Sequence, residues 1–256
     1  MRRLHPKPTR CLLALALLFL MPSRPNAQDA PSKGLPVGDD APVVLRTPAT
    51  QADRDRVRAR LASAERALPK PSSTFRLAPE GEERRVGADA GKLDAPDGWN
   101  PIPAWLSRSY ETRTASEDER TLEINLALNG ERGLSTGLAT VGGAVQILDR
   151  KGALFVRQSI LGAEEGSRVA VPLSPEDSKR ALTLVRAYVV PPDLESGLRK
   201  RVQQTEDLPR LGDGDVTSSR PDGIAAIIVE IRGERRDVDA LAPRIDIAAL
   251  RKLVAP

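Results

Sequence analysis

In RTLEINLALNG, Leu122, Ile124, Leu126 and Leu128 stand at every second position. That is the period of a strand with one buried face, and Asn129-Gly130 ends the run with a turn signal. AVQILDRKGALFVRQ repeats the pattern, with Val145 and Ile147 on one face, a turn at Asp149 to Gly152, and a return through Leu154 and Val156. SRVAVPL alternates Val169, Val171 and Leu173; then SPEDSKR, with Ser174 and Pro175 placed as a helical-turn start, leads into the strand ALTLVRAYVV. Helices do not alternate with these strands, so a parallel doubly wound sheet is hard to draw through them. The chain is predicted to be mainly β, an antiparallel sandwich or meander over 99–192.

After Pro191 the period changes. DLESGLRKRV places Leu194, Leu198 and Val202 at helical spacing, and LPRLGDGDVTSSRPDG reads as a long loop. GIAAIIVEI is too continuously apolar for an exposed strand and is expected inside a sheet. IDIAALRKLV, with Asp246 as N-cap, is expected to close the chain as a helix packing Ile247, Leu250 and Leu253. Residues 193–256 are therefore a C-terminal α segment with a buried strand, packed on the β domain.

Between Gln28 and Asp97 the chain is rich in Pro, Ala, Gly and charge, and its one aromatic is Phe75. So little apolar surface does not offset the entropy of ordering, which predicts a disordered tether over 28–98. One island, near 51–68, reads as an amphipathic helix: Val57, Leu61, Ala64 and Leu68 form a thin stripe, Thr50 and Asp53 are spaced as a capping box, and Pro69 stops the run. Such a stripe lies on its own domain or docks on a partner protein.

At the N-terminus, Arg2, Arg3, Lys7 and Arg10 precede an apolar run from Cys11 to Met21 and a short polar stretch ending at Ala27. This is the layout of a signal peptide over 1–27, and the apolar run is well short of the ~20 residues a spanning helix needs. Cleavage after Ala27 is expected to leave no stable membrane anchor. It also changes the charge. The first 27 residues hold five of the 39 Lys and Arg and none of the 35 Asp and Glu, so the remainder carries 34 minus 35, or −1. No clustered basic excess is left for a phosphate backbone, and nucleic acid is not an expected partner.

Cleavage removes chemistry as well. His5 and Cys11 are the only histidine and cysteine, so the processed chain has no imidazole or thiol for a zinc site, a thiolate nucleophile or a Ser-His-Asp triad. GLSTG (Gly133 to Gly137) matches the nucleophile-elbow pattern, but Ser135 has no histidine to take its proton, and the glycines are read as turn residues. GADAGKL lacks the spacing and the hydroxyl of a phosphate loop. Asp213 and Asp215 in a Gly-containing loop resemble the start of a calcium loop that is not completed, so a solvated loop is the expectation. Glu117, Asp118, Glu119, Glu164 and Glu165 remain as acid–base candidates for a glycosidase. No metal and no cofactor is expected.

DGWNPIPAW carries both tryptophans, and Tyr110 follows. Trp99, Trp105 and Tyr110 are thus the candidate ligand-binding residues, since aromatics held by an extended Pro-rich segment stack on sugars or clamp peptides. The competing and preferred reading makes the tryptophans core that pins the tether to the domain. The function expected is an exported, non-catalytic binding or accessory module of the cell envelope or extracellular space, with another envelope or extracellular protein as partner. The alternative is a carboxylate hydrolase of extracellular or cell-wall glycan. Two carboxylates facing each other in a cleft beside Trp99 or Trp105 would favour the hydrolase.

Overall fold

The computed structural model describes residues 44–93, 98–113, 120–135, 144–148, 150, 152–159, 175–205, 207–212 and 214–254. In chain order they form β1 (Val44–Pro48), α1 (Gln51–Glu65), β2 (Phe75–Val86), β3 (Asp89–Leu93), β4 (Trp99–Asn100), β5 (Ala104–Thr112) and β6 (Thr121–Leu128). Then come β7 (Ala144–Leu148), β8 (Leu154–Ser159), α2 (Pro175–Arg180), β9 (Leu182–Val189), α3 (Pro192–Thr205), β10 (Ile227–Glu234), α4 (Arg235–Leu241), a 3-10 turn and α5 (Ile247–Arg251). Two antiparallel sheets result, one ordered β1-β3-β4 and one ordered β2-β5-β6-β10-β9-β8-β7. The chain is mainly β with a C-terminal α segment, as the alternation predicts.

β10 lies between β6 and β9, and its residues from Ile227 to Ile231 are all buried, because both of its faces are covered. Ile227, Val229 and Ile231 face one cluster with Leu122, Ile124, Leu126 and Leu128 of β6. Over that first face lie Val57, Leu61 and Ala64 of α1, Val238 and Leu241 of α4, and Leu250 of α5. Ala226 and Ile228 face a second cluster with Leu154, Val156, Leu184 and Tyr188, covered by Leu198 and Val202 of α3 and by Leu208 and Val216 of the loop that follows it. Asp246 caps α5 by accepting from Ala249 N. The predicted strand at 168–173 lies outside the described residues.

The tether expected over 28–98 is corrected for residues 44–93, which form three strands and a helix; residues 28–43 lie outside the described residues. Two physical reasons account for the difference. The α1 stripe is narrow but fully buried on the large sheet, and its start is fixed by the predicted box, in which Asp53 N donates to Thr50 Oγ1 at 3.1 Å and Thr50 N to Asp53 Oδ2 at 3.3 Å. β2 is polar because it is an edge strand. It gains order from its ladder with β5, and its charged residues Glu82, Glu83, Arg84 and Arg85 suit an edge that must not pair with other chains. GADAGKL likewise is not a tether loop: its last five residues are β3, with Ala90 and Leu93 buried.

Candidate functional site

On the first face, α1 ends before it has covered the outer part of β5 and β6. The chain then turns through Leu68-Pro69-Lys70-Pro71, and the gap is a half-open cavity of about 400 Å³. Its lining joins Ala62 and Glu65 from α1, Arg66 at the helix's C-terminal cap, Leu68 to Pro71 from the turn, Arg108 and Tyr110 from β5, and Ile124 from β6. Arg108 and Tyr110 point to this face because they pair in register with Ile124 and Leu122. The volume is within the range of small-molecule sites, roughly 300–1,000 Å³.

A closed ring of ion pairs forms one wall. Glu65 of α1 accepts from Arg84 of β2 at 2.8 Å and from Arg108; Glu82 accepts from Arg108 Nε at 2.8 Å and lies 3.4 Å from Arg84. The ring ties the helix to two strands. The Arg108 guanidinium holds the Glu82 carboxyl below the usual carboxylate range. Burial pushes the Tyr110 hydroxyl up, with Arg108 pulling against it, so the phenol stays neutral at physiological pH. Arg66 and Lys70, both exposed, have no carboxylate partner among the described residues.

On the second face a polar row crosses the otherwise apolar sheet. Ser107, Asn125, Glu230 and Arg186 stand opposite one another on β5, β6, β10 and β9. Ser107 Oγ donates to Asn125 Oδ1 at 2.7 Å, Asn125 Nδ2 to Glu230 Oε1 at 3.0 Å, and Arg186 Nε to Glu230 Oε2 at 2.8 Å. Burial opposes the charge on Arg186, but Tyr188 and Glu230 outweigh it and raise its pKa. Glu131, 3.8 Å from Arg186, accepts from Leu211 N at 2.9 Å; burial pushes its carboxyl up against both partners. A cavity of about 110 Å³ opens beside Arg186, Glu131 and Ser135.

Of the three candidate ligand-binding residues, Trp99, Trp105 and Tyr110, only Tyr110 lines the larger cavity. Trp99 is pinned by a two-way backbone bridge to Ser218, 2.8 Å each way, and packs against the first cluster. Trp105 points to the opposite face of β5 from Tyr110 and packs against the second. Gly133 of GLSTG has φ +77°, and a Cβ there would lie 2.1 Å from Trp105 Cδ1, so both conformation and space demand glycine. Ser135 is held by its backbone: its N–H donates to Glu230 Oε1 at 3.1 Å and its carbonyl accepts from Arg186.

Arg201 binds Asp215 at 2.6 and 2.8 Å and keeps its carboxyl low, which occupies the oxygens a calcium ion would need. Asp213, Glu117, Asp118, Glu119, Glu164 and Glu165 lie outside the described residues. The chain matches no family model, no curated protein and no solved structure.

Neither periodicity nor motif points to Glu65, Lys70 or Arg108, and the polar row is not among the candidates drawn from the sequence. A signal for the row was present: LVRAYVV and IIVEI each carry one charged residue in the middle of an apolar strand, and two such charges of opposite sign call for each other.

Proposed function

We propose that the chain is an exported, non-catalytic binding module of the cell envelope or extracellular space, with the cavity beside the end of α1 as its recognition site. One observation carries this reading: the cavity is large enough for a small molecule, and the one carboxylate that lines it among the described residues, Glu65, is already held by two arginines. A carboxylate so paired is a poor general acid or base, because each of its oxygens is already taken by a guanidinium, one by Arg84 and the other by Arg108, and neither faces a substrate proton. Docking of α1 on another envelope protein is less favoured, since its apolar stripe is taken up by its own sheet. The rival hydrolase needs two free carboxylates facing across a cleft. Glu131 and Glu230, which lie together on the second face, both turn to the same guanidinium of Arg186, so neither is free.

The test uses the full chain and the fluorescent probe anilinonaphthalene sulfonate, with Ala62→Trp placed to fill the cavity. Native protein is expected to bind one probe and the variant none, with both melting at similar temperatures. A native chain that leaves the probe dark, or a variant that binds as well as native, overturns the site. Release of reducing ends from cell-wall glycan by native protein would move the assignment to the hydrolase.

A further inference from the structure

We propose that the ligand of this cavity is an anionic amphiphile, an apolar body carrying one carboxylate or similar head group; the proposal rests on the binding reading above. Its floor and walls are apolar at Leu68, Pro71, Ile124 and the ring of Tyr110, so the body of the ligand must be apolar to gain from desolvation. The charges at the cavity do not cancel. Glu65, Glu82, Arg84 and Arg108 neutralise one another in their ring, and among the described residues Arg66 and Lys70 are left without a carboxylate, both positive and both lining the cavity. A cationic ligand would meet two like charges; a neutral one would leave that field unused.

The rim is also preformed. Lys70 sits between Pro69 and Pro71, whose rings restrict the backbone on either side. Pro69 is buried, which anchors the turn against the protein. On the other side Arg108 is fixed by two carboxylates. The backbone that carries Lys70 is therefore in place before a head group arrives, and only the side chains remain to be ordered on binding.

The experiment follows the methyl resonance of Ile124 in the full chain during titration with decanoate, decanol and decyltrimethylammonium, each below its micelle concentration. Decanoate is expected to bind about tenfold more tightly than decanol at low salt, the effect of two exposed charge contacts of roughly 0.7 kcal/mol each. Decyltrimethylammonium should bind weakest. Raising salt should shrink the decanoate advantage, because exposed charges are screened. The double variant Arg66→Gln/Lys70→Gln should lose that advantage and keep its decanol affinity. Equal binding of decanoate and decanol, or preference for the cation, overturns the anionic assignment while leaving the cavity a binding site. No shift of Ile124 with any of the three overturns both. The salt series on native protein tests the charge independently, should the double variant not fold.

Discussion

Glu230 and Ile231 are neighbours on β10, both fully buried, and they face opposite sides of the sheet. On the Ile231 side the core is continuous hydrocarbon, and the charged groups stand at its outer edge, around a cavity open to solvent. On the Glu230 side the charges run through the middle of the layer, each satisfied by the next strand. The same kinds of residue thus do different things according to depth. Arginine and glutamate at the edge pair with one another around the cavity and tie α1 to β2 and β5. At the centre they fix which strand lies opposite which, since a slip of one residue in register would strand both charges in an apolar layer.

The comparison breaks most sharply at Glu230. Glu230→Ala leaves Arg186 buried without its partner and is expected to cost about 3–5 kcal/mol in urea unfolding. Replacing both partners, Glu230→Met with Arg186→Met, should recover part of that loss: it removes the uncompensated charge, but it leaves Asn125 Nδ2 and the Ser135 N–H, which donate to Glu230, without that acceptor. If the double variant is as unstable as the single one, the row contributes through more than charge pairing. On the other face, Leu126→Ala removes hydrocarbon from the packed core and should cost about 2–5 kcal/mol, depending on how far the site collapses. A loss below ~0.5 kcal/mol would mean that this face is not the main core.

Much of this architecture is legible in the chain, and what is not fails for definable reasons. Leu122 to Leu128 and the run GIAAIIVEI announce strands because burial of one or both faces imposes a pattern on the sequence. β2 announces nothing, since an edge strand with exposed charges is held by backbone bonds that any sequence can make. The short helix α4 is equally silent, with only Val238 and Leu241 buried. Tyr110 was legible as a site candidate by its chemistry, but its neighbours were not: Glu65, Lys70 and Arg108 are ordinary surface residue types. They meet only because α1 stops where β5 and β6 continue.

Trp105 and Gly133 give the next effect down. Gly133→Ala forces a methyl group into the indole ring and a side chain into a left-handed conformation, so a loss of about 1–3 kcal/mol in thermal or urea unfolding is expected. Shortening Trp105 to Ala in the Gly133→Ala background should relieve the steric part and leave the conformational part. The interaction read from that double-mutant cycle should therefore be favourable. Additive losses would place the glycine's role in its backbone alone.

The smallest effects should differ in sign between the two faces. Glu82 has its pKa lowered, first by its hydrogen bond to Arg108, so its contribution is present above the ordinary Glu value of 4.5 and lost as pH falls through the folded value. Partly exposed, it is worth at most about 1 kcal/mol, and Glu82→Gln should lower the melting temperature at pH 7 by an amount that vanishes in acid. Glu131 has its pKa raised, first by burial, so the folded state takes up a proton more readily than the unfolded chain. Its contribution is full below 4.5 and is lost as pH rises through the folded value. Glu131→Gln, which keeps an acceptor for Leu211 N, should therefore match native protein in acid and melt higher than it at neutral pH. Melting curves of the two variants against native protein, taken across pH 3.5 to 7.5, decide the matter. If Glu131→Gln lowers stability at pH 7 as Glu82→Gln does, the pairing of Glu131 with Arg186 outweighs the cost of its burial, and the contrast between open and sealed carboxylates fails at that residue.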